Sequence, residues 1–249
     1  MSQEWKDFSK IFPRVLNKEE RRIKAYKIRQ IISDYTSKTS GFTPQTMIDI
    51  GCSSGIITSE IAEIFDKAIG FDVDINALRY AKDSLCRRVL WVVSNAQALP
   101  VKNNSVDLVI CNHIYQYMGD PKLMMNEIER VLKPGGICYL AVANRFALFF
   151  KNYPLIGILL WLPPRLLKKI KFIFPEKFFS QKLVDRTEHL KLISGFDFTE
   201  YTIDILKRPG KYFTEIPLFY SILSKVPESI LKSLIYFSFS FIWILKKKK

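Results

Sequence analysis

The chain has 249 residues, 48% of them apolar, and its 38 Lys and Arg against 24 Asp and Glu give a formal charge of +14. That length fits one large domain, or one domain carrying insertions, and the apolar content excludes intrinsic disorder. The charge is lopsided: 19 basic and 16 acidic residues precede Arg145, whereas 19 and 8 follow Asn144 together with 14 of the 19 phenylalanines. Nucleic acid and an anionic membrane surface both stand as partners of such a half.

In chain order, the start through Asp7 is polar and has no apolar core, which predicts no signal peptide. Residues 1–41 read as a helical segment, in which Lys18 to Tyr35 spaces Ile23, Tyr26, Ile31 and Tyr35 among Lys and Arg as an amphipathic helix does. A Ser/Thr/Gly linker leads to Phe42. Strands are then expected at Thr46 to Ile50, Lys67 to Phe71, Leu90 to Ser94, Val106 to Asn112 and Ile137 to Val142. Helices are expected between them at Ile56 to Phe65, Asn76 to Arg88 and Pro121 to Leu132. Asn76 is the expected cap of the second, Pro121 fits the first turn of the third, and Gly135-Gly136 fits its exit. Five strands alternating with helices predict an α/β fold, a parallel sheet with helices on both faces.

After Asn144 the alternation breaks. Residues 145–180 are apolar and basic with proline punctuation. A helix is expected at Val184 to Ser194 and a strand at Phe196 to Leu206. Residues 207–236 form a second excursion, mostly helical from Leu218, and Phe237 to Leu245 reads as a last strand. The longest charge-free apolar runs, Asn152 to Pro164 and Ser233 to Leu245, are 13 residues each, short of the roughly 17 that cross a bilayer. Cysteines at 52, 86, 111 and 138 form no CxxC pair, and His113 and His189 are the two histidines. That usage predicts no bound metal and a reducing, cytoplasmic compartment.

The chemistry-bearing stretch is Asp49-Ile50-Gly51-Cys52-Ser53-Ser54-Gly55, a strand end, a Gly-rich turn and a helix start. Glycines let backbone approach a ligand, and the helix start offers free N–H groups. Alone, this DxGxxxG spacing reads equally as a tight turn. Asp72, 23 residues after Asp49, stands where an acid at the second strand's end accepts hydrogen bonds from ribose hydroxyls. Three further stretches follow in order: Ser94-Asn95-Ala96-Gln97-Ala98-Leu99-Pro100 with Asn104-Ser105-Val106-Asp107, then Asn112-His113-Ile114-Tyr115, then Glu127-Ile128-Glu129-Arg130-Val131-Leu132-Lys133-Pro134-Gly135-Gly136.

With these residues the sequence resembles the class I S-adenosylmethionine-dependent methyltransferases, in the broad group whose hallmarks read DIGCGxG, GxD, AxxLPFxDxSFD and ExxRVLKPGG. The resemblance covers Phe42 to Asn144 closely and Val184 to Leu206 plus the last strand loosely. It implies a Rossmann-like, doubly wound, seven-stranded sheet, mostly parallel, whose antiparallel last strand enters between the fifth and sixth. It implies one methyltransferase domain over 42–249 with helical lid insertions at 145–180 and 207–236, and S-adenosyl-L-methionine as cofactor. Carried over, Asp49, Gly51, Cys52 and Gly55 shape the turn that holds the methionine part, and Asp72 binds the ribose. Val73 packs beside the adenine or in the core, Asn95 with Ala96 meets the adenine amino group, and Asn112 flanks the sulfonium and methyl. Ser53 departs from the pattern, standing where relatives have the second glycine.

Methyl transfer is an in-line displacement in which alignment contributes on the order of 7 to 11 kcal/mol, and a base is required only for a protonated nucleophile. His113, just past the fourth strand, is the catalytic candidate, and packing against the sheet would explain it as well. Tyr115, Tyr117 and Asp120 line the same region, and Tyr117 stands where relatives often have His. His189 reads as structural. The Asn-Pro-Pro-Tyr type of run that amino-methylating base enzymes carry is absent, so nucleic-acid bases are disfavoured. The expected acceptor is a hydrophobic or amphiphilic small molecule or lipid, met by a peripheral protein at the inner membrane face. The apolar side chains Phe146 to Leu162 followed by Arg165, Lys168, Lys169 and Lys171 are the expected contact. A non-catalytic membrane-associated binding protein, and an RNA or protein methyltransferase, remain as alternatives.

Overall fold

The structure, a computed structural model, describes residues 7–11, 13–39, 43–85, 88–146, 183–216 and 218–248. The lid expected at 145–180 therefore falls outside the described residues beyond Phe146.

Seven strands form one sheet: β1 (Thr46–Ile50), β2 (Lys67–Asp72), β3 (Val89–Val93), β4 (Val106–Asn112), β5 (Leu132–Ala143), β6 (Asp197–Glu200) and β7 (Ser240–Lys246), in the order β3-β2-β1-β4-β5-β7-β6. The first five pair in parallel, and β7 runs antiparallel to both β5 and β6. The expected sheet and its inserted last strand are thus present. In chain order the helices are α1 (Phe8–Ile11), α2 (Lys18–Ser37), α3 (Ile56–Ala62), α4 (Ile75–Ser84), α5 (Pro121–Val131), α6 (Arg186–Leu192), α7 (Thr202–Lys207), α8 (Pro209–Tyr212), α9 (Leu218–Lys225) and α10 (Glu228–Leu234).

Strand periodicity divides the core in two. On β4, Val106, Val109 and Cys111 face one layer and Leu108 and Ile110 the other; on β7, Phe241, Trp243 and Leu245 oppose Ile242 and Ile244. One layer packs α5 and α6; the other packs α2 and α3. Helix α2 sinks Ala25, Ile28, Ile31 and Ile32 into that second layer, each isoleucine contributing about 1.5 to 3 kcal/mol. The buried face of α2 thus packs into the same layer as β4 and α3.

Some local expectations change. The cap of α4 is Asp74, whose Oδ1 accepts from the amides of Asn76 and Ala77 at 3.0 Å each. Gly135 and Gly136 do not close α5; they lie inside β5 where its pairing with β4 shifts register. The strand expected to Leu206 ends at Glu200, and α7 takes over from Thr202. The motif residues after β3 act as pins. Glu127 accepts the Leu99 amide at 2.6 Å, while Arg130 donates to the carbonyls of Leu99 and Val101 and to the Glu127 carboxylate. They fix the loop that carries Asn95.

Candidate active site

The sheet order reverses between β1 and β4, and the carboxyl ends of strands at such a switch point open a crevice. A cavity of about 290 Å³ occupies it. Its floor comes from four strand ends: Gly51 and Ser53 after β1, Asp72 and Val73 after β2, Asn95 and Ala96 after β3, and Asn112 and His113 after β4. Six of the nine cofactor residues expected from sequence, and the catalytic candidate His113, are brought together there. Asp49, Cys52 and Gly55 are not in its wall.

Backbone conformation builds this floor. Gly51, Ser53 and Gly55 have φ of 72°, 51° and 70°, so alternate residues of the turn are left-handed. At Gly51 an added Cβ would stand 2.2 Å from Ile114 Cγ2, which excludes any side chain. Gly55 instead makes room for the Trp91 ring, 2.5 Å from where its Cβ would be. Ser53 holds a left-handed conformation that costs a non-glycine residue about 1 to 2 kcal/mol, which explains why glycine suits this position. His113 is left-handed as well, with φ 59°, and its amide donates to Ala141 O at 2.8 Å.

Asp72 organises the turn. Its Oδ2 accepts the Ser53 amide at 2.6 Å and its Oδ1 the Asp74 amide at 2.9 Å. Burial pushes its pKa up, and these amides pull against that. Asp49 lies behind, 3% exposed, bonded to Thr58 Oγ1 at 2.6 Å. Burial raises it to about 7 and the nearby Asp72 adds to the rise. Asp49 thus supports the turn from beneath. The Asn95 Oδ1 accepts the Gln97 amide at 3.0 Å, an Asx turn that leaves its second lone pair available.

The roof comes from residues outside the expected cofactor set, of which Tyr117 alone was singled out in the sequence. Phe8, Val15, Arg21 and Lys24 from the N-terminal segment, with Gln116, Tyr117 and Met118 after β4, complete the cavity. Phe8 meets Tyr117 edge-on at 5.1 Å. The segment is strapped down by the Ser9 amide donating to Asp74 Oδ2 at 2.6 Å, by Asn76 Nδ2 donating to Asp7 Oδ1, and by Ser54 Oγ donating to Val15 O. An amphipathic helix before the first strand was the available signal, but nothing in it told which face would meet a ligand.

The same crevice defines a family. Residues 48–140 match the model of a family described as a methyltransferase domain. An uncharacterized protein of Methanocaldococcus jannaschii is 30% identical over 217 residues, 81% of this chain and 75% of that one. The chain belongs to the class I S-adenosylmethionine-dependent methyltransferases. A malonyl-[acyl-carrier protein] O-methyltransferase of Hahella chejuensis is 36% identical over 98 residues, 37% of this chain, and the match spans only 34% of that relative's length. Among solved structures, geranyl diphosphate C-methyltransferase of Streptomyces coelicolor, crystallised with S-adenosyl-L-homocysteine, superposes with a TM-score of 0.54 at 14% identity, over 88% of this chain and 77% of that one. That likeness is one of fold.

The residues of this methyltransferase fit its cofactor. Ser53 Oγ, Gln116 Oε1 and Arg21 Nε are buried in the cavity region without a hydrogen-bond partner among the described residues, as atoms awaiting a polar ligand are. Asp72 offers carboxylate lone pairs for a diol, and Arg21 a guanidinium for a carboxylate. His113 is a different kind of group. Burial first, then the cations Lys27, Lys24 and Arg21, push it down to about 3. At neutral pH it is an uncharged imidazole that accepts hydrogen bonds and holds a proton weakly. His189 is buried at 1% exposure and packs on Tyr115 at 4.6 Å and on Phe241 and Trp243, away from the cavity wall.

Proposed function

We propose that this chain transfers a methyl group from S-adenosylmethionine to a hydrophobic or amphiphilic small molecule or lipid met at a membrane surface. The observation that carries the reading is the continuous cavity from Asp72 and Asn95 to Asn112 and His113 under an apolar roof of Phe8, Val15, Tyr117 and Met118. When bound, the cofactor supplies a methyl group activated by a positive sulfur. Asp72 accepts hydrogen bonds from ribose hydroxyls, Arg21 pairs with the methionine carboxylate, and Asn112 and His113 border the acceptor. The roof excludes water, so that alignment carries the rate. His113, held neutral, orients an acceptor hydroxyl and is too weak a base to keep its proton.

A surface feature supports the membrane part. Leu218 (77% exposed), Phe219, Ile222, Ile230, Leu234 and Tyr236 stand out on and beside α9 and α10 with Lys225 and Lys232 among them, the composition of an interfacial segment. Among the described residues no helix is long and apolar enough to cross a membrane. Calorimetry with S-adenosylhomocysteine tests the cofactor half: wild type binds, and Asp72→Ala binds about 10- to 100-fold more weakly, the cost of losing charged hydrogen bonds. Equal binding by the variant refutes it. Sedimentation with phosphatidylglycerol vesicles against phosphatidylcholine vesicles tests the other half. Binding to the anionic vesicles, lost in Leu218→Ser/Ile222→Ser, is expected; failure to sediment with either overturns the membrane reading and leaves the cofactor half standing.

A further inference from the structure

Ser53 stands in the turn after β1 where the resemblance expects a glycine, and it is unfavourable there on two counts. Its φ of 51° is left-handed, a conformation that strains a residue with a Cβ. Its hydroxyl is withdrawn from water and unpaired: the residue is 8% exposed, and Oγ has no hydrogen-bond partner among the described residues. A serine can recover part of such strain through a hydroxyl bond to nearby backbone, and Oγ makes none among the described residues. The rest of the turn does not need the side chain either. The Ser53 amide donates to Asp72 Oδ2 at 2.6 Å, a bond that glycine would make equally. The fold therefore carries a strained backbone and an orphaned buried hydroxyl at one residue of the cavity wall, a combination that persists where function uses it.

The sheet order indicates what the hydroxyl meets. Along β3-β2-β1-β4 the cavity wall presents Asn95 and Ala96, then Asp72 and Val73, then Gly51 and Ser53, then Asn112 and His113. A cofactor with its adenine at Asn95 and its ribose diol on Asp72 extends next over β1, and what it carries beyond the ribose is the sulfur and the amino-acid tail. The same wall contains Arg21, whose Nε is also buried without a partner among the described residues. The segment that leads into α2 is fastened one residue from Ser53, where Ser54 Oγ donates to Val15 O. Two orphaned donors in one wall, a hydroxyl and a guanidinium N–H, suit a carboxylate, which accepts from both.

We propose that Ser53 Oγ donates to the carboxylate of the cofactor's amino-acid tail and shares it with Arg21, so that this chain gives up stability at residue 53 for a firmer hold on the cofactor. The inference rests on the cofactor reading and assigns a contact that glycine cannot make.

The test compares full-length wild type, Ser53→Ala and Ser53→Gly in two measurements: S-adenosylhomocysteine affinity by calorimetry, and melting of the ligand-free protein. Loss of a hydroxyl bond to a charged group should weaken S-adenosylhomocysteine about 10- to 100-fold in both variants. Ligand-free Ser53→Ala, which keeps the strain and sheds the orphaned hydroxyl, should melt no lower than wild type. Ser53→Gly, which sheds both, should melt about 2 to 4 °C higher. Decarboxylated S-adenosylhomocysteine isolates the carboxylate: it should bind wild type more weakly than the parent compound does, and Ser53→Ala no more weakly than wild type. Unchanged S-adenosylhomocysteine affinity in either variant overturns the contact, and so does an equal loss for the decarboxylated probe. A ligand-free variant that melts below wild type shows that the hydroxyl serves the fold and also overturns it. Wild type that binds neither compound refutes the cofactor reading itself.

Discussion

The floor and the roof of the cavity are built by different physics. The floor is backbone: turns after β1, β2 and β4 in which Gly51, Ser53, Gly55 and His113 hold positive φ and Asp72 gathers amides. The roof is side chains of α1 and α2, tied to the floor by Ser9, Asn76 and Ser54 and to the far end of the sheet by a carboxylate. That carboxylate, Asp34, is 3% exposed and takes hydrogen bonds from Lys38 at 2.7 Å, from Tyr201 OH at 3.0 Å and from Lys211. Each region buries an acid, and the two acids titrate in opposite directions. Burial lifts Asp49 to about 7. Burial also pushes Asp34 up, but the bonds from Lys211, Lys38 and Tyr201 outweigh it and hold the group at about 2. Beneath the floor a buried acid with a single hydroxyl partner is pushed up, whereas the acid that fastens the roof is held charged by two lysines and a tyrosine.

The largest effect is expected in the floor. Gly51→Ala places a Cβ against Ile114 at a φ that only glycine takes without strain, which should cost about 2 to 4 kcal/mol of stability. It should abolish S-adenosylhomocysteine binding in calorimetry; a variant that melts and binds as wild type would mean the turn is soft. The pH dependence of unfolding comes next. Because the folded pKa of Asp34 lies below its unfolded value of 3.8, its stabilisation is complete above pH 4 and fades as pH falls towards 2, by about 2 kcal/mol. Asp34→Asn should remove that step from urea titrations. Asp49 works the other way. Its folded pKa of about 7 exceeds the unfolded 3.8, so stability declines as pH rises from 4 to 7, and Asp49→Asn should flatten this limb. The smallest change is Asp74→Ala, which removes a helix cap and the anchor of Ser9. It should cost about 1 kcal/mol and speed S-adenosylhomocysteine release in stopped flow. Unchanged release would separate the roof from the cofactor.

Legibility in the sequence follows the same division. The turn after β1, Asp72, the Asn95 loop and Asn112 were readable because left-handed backbone and amide-binding carboxylates admit few residue types, so local sequence carries the geometry. The exit expected at Gly135-Gly136 was misplaced because glycine marks a bulge in a strand as readily as a helix end. The strand expected to Leu206 failed because a run of apolar residues has no period that separates Tyr201-Thr202-Ile203 from strand continuation; burial of Thr202 and Ile205 as the start of α7 decided it. Arg21, Lys24 and Lys27 were visible only as solvated charge on an amphipathic helix.

What the sequence by itself determined is the class, the sheet with its inserted last strand, and the residues that meet in the cavity floor, since each depends on periodicity or on backbone conformations that a few residues permit. What only the tertiary structure decided is which face of α2 covers the cavity, and that Asp49 lies beneath the turn and not in the cavity wall. Those facts depend on how helices pack across the sheet, where any side chain of suitable size and charge will serve and no local pattern records the choice.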